Sequence, residues 1–183
     1  MPASCPARPA RPARPARPAR LALASTRLPW LAAGALLAAV AGVFGVPAAA
    51  SPPHLPPATD LAAHGADAAR RGEPLVVLVS MPGCGYCDAV RRNYLGPQAA
   101  AGEIAVRELD MTADTPLRAA DGSLTTARAW ARAHQVKVAP TVLFLDRQGH
   151  AAASPLRGMQ PDFYGAYLEQ ALAQARAAVA ARK

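Results

Sequence analysis

The chain has 183 residues, 52% hydrophobic and 17% charged, with a formal net charge of +8. Residues 1–50 hold six arginines and no acid, which leaves 14 bases against 12 acids over the rest, so a nucleic-acid-binding body is disfavoured. Twelve of the 19 prolines precede residue 58, and the 133 residues from Ser51 onward suffice for one compact domain that buries about two thirds of its unfolded surface, with no need of disulfide staples.

From Ala7 to Arg20 the chain repeats Ala-Arg-Pro, a composition that neither buries apolar surface nor keeps a helix. Residues 28–46 (LPWLAAGALLAAVAGVFGV) are uncharged, and Pro47-Ala48-Ala49-Ala50-Ser51 follows with small residues at 48 and 50. Basic, apolar and small-residue regions in that order read as a secretory signal over 1–50, cleaved after Ala50; the alternative is an uncleaved anchor, since about 19 apolar residues can just span a bilayer. Either places the body outside the cytoplasm. The absence of paired arginines and of a cysteine close behind the run leaves general, Sec-type secretion. The 27 residues ahead of the run are long for such a leader, which points to a translation start downstream of Met1 and leaves Cys5 without a part.

Residues 51–58 (SPPHLPPA) read as an extended linker, and residues 59–183 as the folded domain. Thr59 or Asp60 caps a helix to about Arg71, ended by Gly72. LVVLVS, residues 75–80, is apolar on both faces, as in a central strand of a covered sheet. A helix then starts near Cys84 and closes at Gly96-Pro97. IAVRELDM, residues 104–111, is a second strand, residues 112–123 a polar loop, and residues 124–135 a helix with Trp130 packed on the sheet. TVLFLD, residues 141–146, is a third strand; the turn Asp146-Arg147-Gln148-Gly149 leads to a weaker fourth ending near Leu156, and a helix with one apolar stripe fills 161–182. The order is α-β-α-β-α-β-β-α.

Beyond the leader there are two cysteines, Cys84 and Cys87, spaced C-x-x-C where an apolar strand meets a helix. Unpaired N–H groups and the helix dipole at that place favour a thiolate, the nucleophile of disulfide exchange. Cys84, the more N-terminal, is therefore the expected nucleophile, and Cys87 the resolving thiol. Asp88 stands where c-type haem attachment needs histidine, and His54, His64, His134 and His150 offer no paired zinc-ligand spacing, so no metal site is expected from them. A carboxylate at Asp88 opposes a thiolate at Cys84. Arg91 is expected to stay solvated.

LVVLVS, the Cys84-Gly85-Tyr86-Cys87 motif, VKVAPTVLFLD and GMQPDFYGAYL together resemble the exported bacterial thiol-disulfide oxidoreductases of the thioredoxin fold, over roughly residues 59–180. The Gly-Tyr pair is similar to that of the DsbC-type periplasmic disulfide isomerases, although no room exists here for their dimerisation domain. The resemblance implies a single-domain α/β protein, a central mixed sheet flanked by helices. It also implies a cis bond before Pro140 and a substrate surface of Gly85, Tyr86, Ala139 and Pro140, with no cofactor beyond a redox-active Cys84–Cys87 disulfide. In the cytosolic protein a buried acid six residues before the first cysteine assists the resolving thiol, and an aromatic residue precedes that cysteine; here these are Leu78 and Gly83.

The expected function is reduction or isomerisation of disulfides in cysteine-containing exported proteins of the periplasm, with a membrane electron-transfer protein as the recharging partner. The alternatives are a disulfide oxidase, or a copper(I)-binding metallochaperone or client-binding module using the same dithiol with Met81 as a further soft ligand.

Overall fold

The structure is a computed structural model and describes residues 54–182. The expected signal over 1–50, its cleavage site and the first residues of the expected linker lie outside the described residues.

The elements are α1 (Leu61–Arg70), β1 (Leu75–Ser80), α2 (Gly85–Val90), a π-helical turn (Arg91–Leu95), α3 (Gly96–Ala100), β2 (Ala105–Asp110), β3 (Pro116–Arg118), β4 (Leu124–Thr126), α4 (Ala127–Ala133), β5 (Thr141–Leu145), β6 (Leu156–Arg157) and α5 (Tyr164–Ala181). Four strands form one sheet in the order β2-β1-β5-β6. β2 runs parallel to β1, while β5 is antiparallel to both β1 and β6, so the sheet is mixed.

All six residues of β1 are buried. Val76 and Leu78 point into one core with Val90 of α2 and Leu168 and Leu172 of α5; Leu75, Val77 and Val79 point into the other with Leu61 and Ala68 of α1 and Trp130 of α4. A strand covered on both faces can be apolar at every position, which is why its sequence does not alternate. Each such Leu or Val stabilises the fold by roughly 1.5–3 kcal/mol relative to exposure. β1 is thereby a fixed platform for the segment that follows it.

Four features depart from the sequence reading. Leu55, within the expected linker, is buried in the core, and Pro56 O accepts from Glu108 N–H while Ala58 N–H donates to Glu108 O, so the segment lines the outer edge of β2. Proline suits such an edge, where its missing N–H costs nothing. The stretch expected as a polar loop holds β3 and β4, an antiparallel pair joined by a turn in which Asp121 accepts from Ser123 N and Oγ, and Leu117 is buried beneath it. The helix after Cys84 does not stop at Gly96-Pro97: Gly96 N–H reaches back five residues to Arg91 O, and the chain continues helical to Ala100. Pro97 has no N–H to donate, and the wide turn just before it accommodates that loss. Finally α4 begins at Ala127, after Thr126, whose hydroxyl accepts from Ala129 N–H.

Candidate active site

β1 ends at Ser80, and Met81-Pro82-Gly83 turns the chain into α2. Gly83 has φ +70°, a left-handed conformation that glycine adopts without cost and an aromatic residue would not. Cys84 is the N-cap of α2 in an extended conformation, and its Sγ accepts from Cys87 N–H at 3.1 Å. The cap therefore directs a backbone donor of the first turn at this sulfur, which is the stabilisation that a thiolate there would use. Cys84 and Cys87 are joined by a disulfide with a Cα–Cα distance of 5.2 Å. Cys84 is partly exposed, whereas Cys87 is wholly buried. A partner can thus approach only the first sulfur of the pair.

The rest of the expected site follows from strand register. Val79 near the end of β1 pairs with Thr141 at the start of β5, so the Cys84 turn and the 138–140 turn leave the same end of the sheet. The Ala139–Pro140 peptide bond is cis, Pro140 O accepts from Gly158 N–H at 2.7 Å, and Thr141 Oγ1 donates to Val138 O at 2.8 Å. Ala139 is half-buried and Pro140 buried, while Gly85 and Tyr86 are exposed. Met81 and Val138 on these two turns and Tyr86 in the first turn of α2 are exposed large hydrophobic side chains. That end of the sheet presents exposed apolar side chains near the partly exposed Cys84, with the charged Asp88 and Lys137 also exposed there.

Leu78, in the place of the cytosolic acid, is wholly buried, and the residue opposite it on β2 is Glu108. Arg91 is not solvated as expected: its side chain keeps only 15% exposure. Its Nε donates to Glu108 Oε2 at 2.9 Å, a second guanidinium nitrogen donates to Glu108 Oε1, and Nη1 donates to Asp88. Ser80 Oγ also donates to Glu108 Oε1, at 2.7 Å. The hydrogen bonds that Arg91 donates to the Glu108 carboxylate hold its guanidinium well above its already high range, so its charge is fixed. Ser80, Arg91 and Glu108 line a cleft along β2 together with His54, Met81 and Pro82.

Sequence reasoning missed Glu108 and Ser80 as part of this end of the molecule. One signal was present: Glu108 shares the β2 face of Ile104 and Val106, which is apolar, and a carboxylate there requires a charged or donating partner.

Residues 62–175 match the family model described as a thioredoxin-like domain. No curated protein sequence matches the chain. Among solved structures it is similar to the periplasmic thioredoxin SoxS of Paracoccus pantotrophus, at 21% identity over 56% of this chain and 99% of that one, with a TM-score of 0.40. It is also similar to thioredoxin f of spinach chloroplast, at 18% identity over 67% of this chain and 96% of that one, TM-score 0.45. For thioredoxin NaTrxh of Nicotiana alata the values are 16%, 67%, 98% and 0.44.

Proposed function

We propose that this chain, which belongs to the thioredoxin-like domain family and is a thiol-disulfide oxidoreductase, works outside the cytoplasm as a reductase or isomerase of cysteine-containing exported proteins. The observation that carries this reading is the asymmetric pair: a partly exposed Cys84 at a helix N-cap, disulfide-bonded to a buried Cys87.

In the reducing direction the Cys84 thiolate attacks one sulfur of a substrate disulfide. The substrate S–S bond breaks, a Cys84–substrate disulfide forms, and the other substrate sulfur leaves as a thiolate that takes up a proton. Cys87, on losing its proton, then attacks Cys84 Sγ. The second substrate thiolate departs, the substrate has gained two electrons, and the enzyme is left as the Cys84–Cys87 disulfide. Gly85, Tyr86, Ala139 and Pro140 supply the surface for the substrate segment, whose backbone lies along the 138–140 turn. No cofactor enters this cycle, and a membrane electron-transfer protein restores the dithiol.

Three exchange reactions run side by side test the direction. With dithiothreitol as electron source the protein accelerates reduction of insulin disulfides, and it reshuffles a scrambled disulfide protein. Acceleration of substrate oxidation alone would reverse the assignment to an oxidase.

Export is the second part of the proposal. It is supported by the uncharged run over 28–46 and the small residues at 48 and 50. No helix of the described residues is long and apolar enough to cross a membrane. Intact-mass measurement of the native protein is expected to give a species beginning at Ser51; a mature species retaining residues 28–46 would establish an anchor in its place.

A further inference from the structure

Ser80, Asp88, Arg91 and Glu108 come from three elements, β1, α2 with its π-helical extension, and β2, yet they form one hydrogen-bonded network at the end of β1 from which the Cys84 turn leaves, with Asp88 directly following Cys87. Asp88 lies four residues after Cys84 and Arg91 four residues after Cys87. Asp88 N–H donates to Cys84 O at 3.1 Å, which places Asp88 in the first turn against the cap, and along the helical run the i,i+4 spacing puts Arg91 on the side of Cys87. Glu108 keeps 16% side-chain exposure and Arg91 15%, so their interaction is weakly screened, while Asp88 keeps 52%. Two carboxylates against one guanidinium leave the network with one net negative charge. The other titratable or charged residues nearby, Arg107 and Asp110 of β2, Arg92 of the π-helical turn, Lys137 before Pro140, Arg157 of β6 and His54, which lines the same cleft, make no hydrogen bond or ion pair to it among the described residues.

We propose that the Ser80–Glu108–Arg91–Asp88 network is the electrostatic regulator of the dithiol, its net negative charge restraining thiolate formation at Cys84 and so keeping the couple on the reducing side. The inference rests on the redox reading of Cys84 and Cys87. Reduction carries two electrons and two protons into the pair: the S–S bond breaks, and a donor dithiol becomes a disulfide in exchange. Where a thiol of the reduced form ionises, the thiolate is the species that stabilises the reduced state, so a nearby negative charge removes stabilisation from it. Arg91 and Glu108 act through the cysteines and are positioning residues. Ser80 contributes by fixing the Glu108 carboxylate.

The test measures the Cys84 thiol pKa, from the pH dependence of thiolate absorbance or alkylation, and the equilibrium with glutathione, on the full chain. Glu108→Gln and Asp88→Asn each remove a negative charge and are expected to lower the thiol pKa by about 0.5 or more, roughly a threefold gain in the thiolate-to-thiol ratio, with the glutathione equilibrium moving toward the dithiol. Arg91→Met is expected to move both readouts the opposite way, and Arg91→Lys, which keeps the charge, to stay within about twofold of the parent ratio. Arg91→Met leaves Glu108 without its partner and can impair folding. The double variant Glu108→Gln with Arg91→Met restores the parental net charge, and its pKa is expected to return close to the parent value. Shifts of the same sign in Glu108→Gln and Arg91→Met, or no shift in Glu108→Gln, would overturn the proposal and leave the network a packing device. Failure of the parent chain to exchange with glutathione at all would instead defeat the redox reading beneath it.

Discussion

Cys84→Ser brings disulfide reduction down to the uncatalysed background, a loss of at least about a thousandfold of the kind seen when a nucleophile is removed. Two structural facts make the loss that severe. Cys84 Sγ is the sulfur at the helix cap and the only one of the pair that reaches solvent, and Cys87 is wholly buried, so it cannot take over the attack. The fold survives the change: closing so short a loop contributes at most about 2 kcal/mol, and the cores on both faces of β1 do not depend on it. A stopped assay of insulin reduction, with circular dichroism to verify folding, measures the effect. Full activity in this variant would remove Cys84 from the nucleophile's role.

Cys87→Ser gives the second large effect, and it is a different one. The first attack remains possible because Cys84, its cap and the exposed side chains near it are untouched, but the intramolecular release of the substrate is gone. Turnover therefore falls almost as far as in Cys84→Ser, while a Cys84–substrate adduct accumulates toward one per protein molecule. Non-reducing electrophoresis and intact mass read it directly. Absence of the adduct, with turnover lost, would mean that Cys87 is needed for the first step as well and that the two-step cycle is wrong.

How much of this was legible in the sequence depended on whether a signal was local. LVVLVS announced a strand covered on both faces, and β1 is buried at every residue; TVLFLD did the same for β5. C-x-x-C after the first of these located the dithiol at a strand-to-helix junction, because the strand, the turn with its glycine and the cap are contiguous. The pairs that went unread are remote. Glu108 and Arg91 lie 17 residues apart on different elements, and Ser80 and Glu108 lie 28 apart, so nothing in either stretch announces the other. Arg91 read alone is one more basic residue on a helix, and its burial follows only from β2 lying beside the end of β1. The β3–β4 pair was missed for another reason. Strands of only three residues, Pro-Leu-Arg and Leu-Thr-Thr, are too short to show a periodicity, and Leu117 is the one side chain of the pair that is buried. The edge segment at Leu55–Ala58 combines both difficulties, a single large apolar residue among prolines, tied to β2 through Pro56 O and Ala58 N–H.

Cys84 and Cys87 interconvert reversibly between disulfide and dithiol at a potential useful for protein substrates on the reading proposed above. The most direct measurement equilibrates the protein across a series of glutathione ratios, traps free thiols by alkylation and counts them by mass. One two-electron transition confined to Cys84 and Cys87 is expected, in the middle or lower part of the range between about −120 and about −270 mV that exported oxidants and thioredoxin span. A disulfide that stays closed at potentials below about −300 mV, as an inert structural one does, would contradict it.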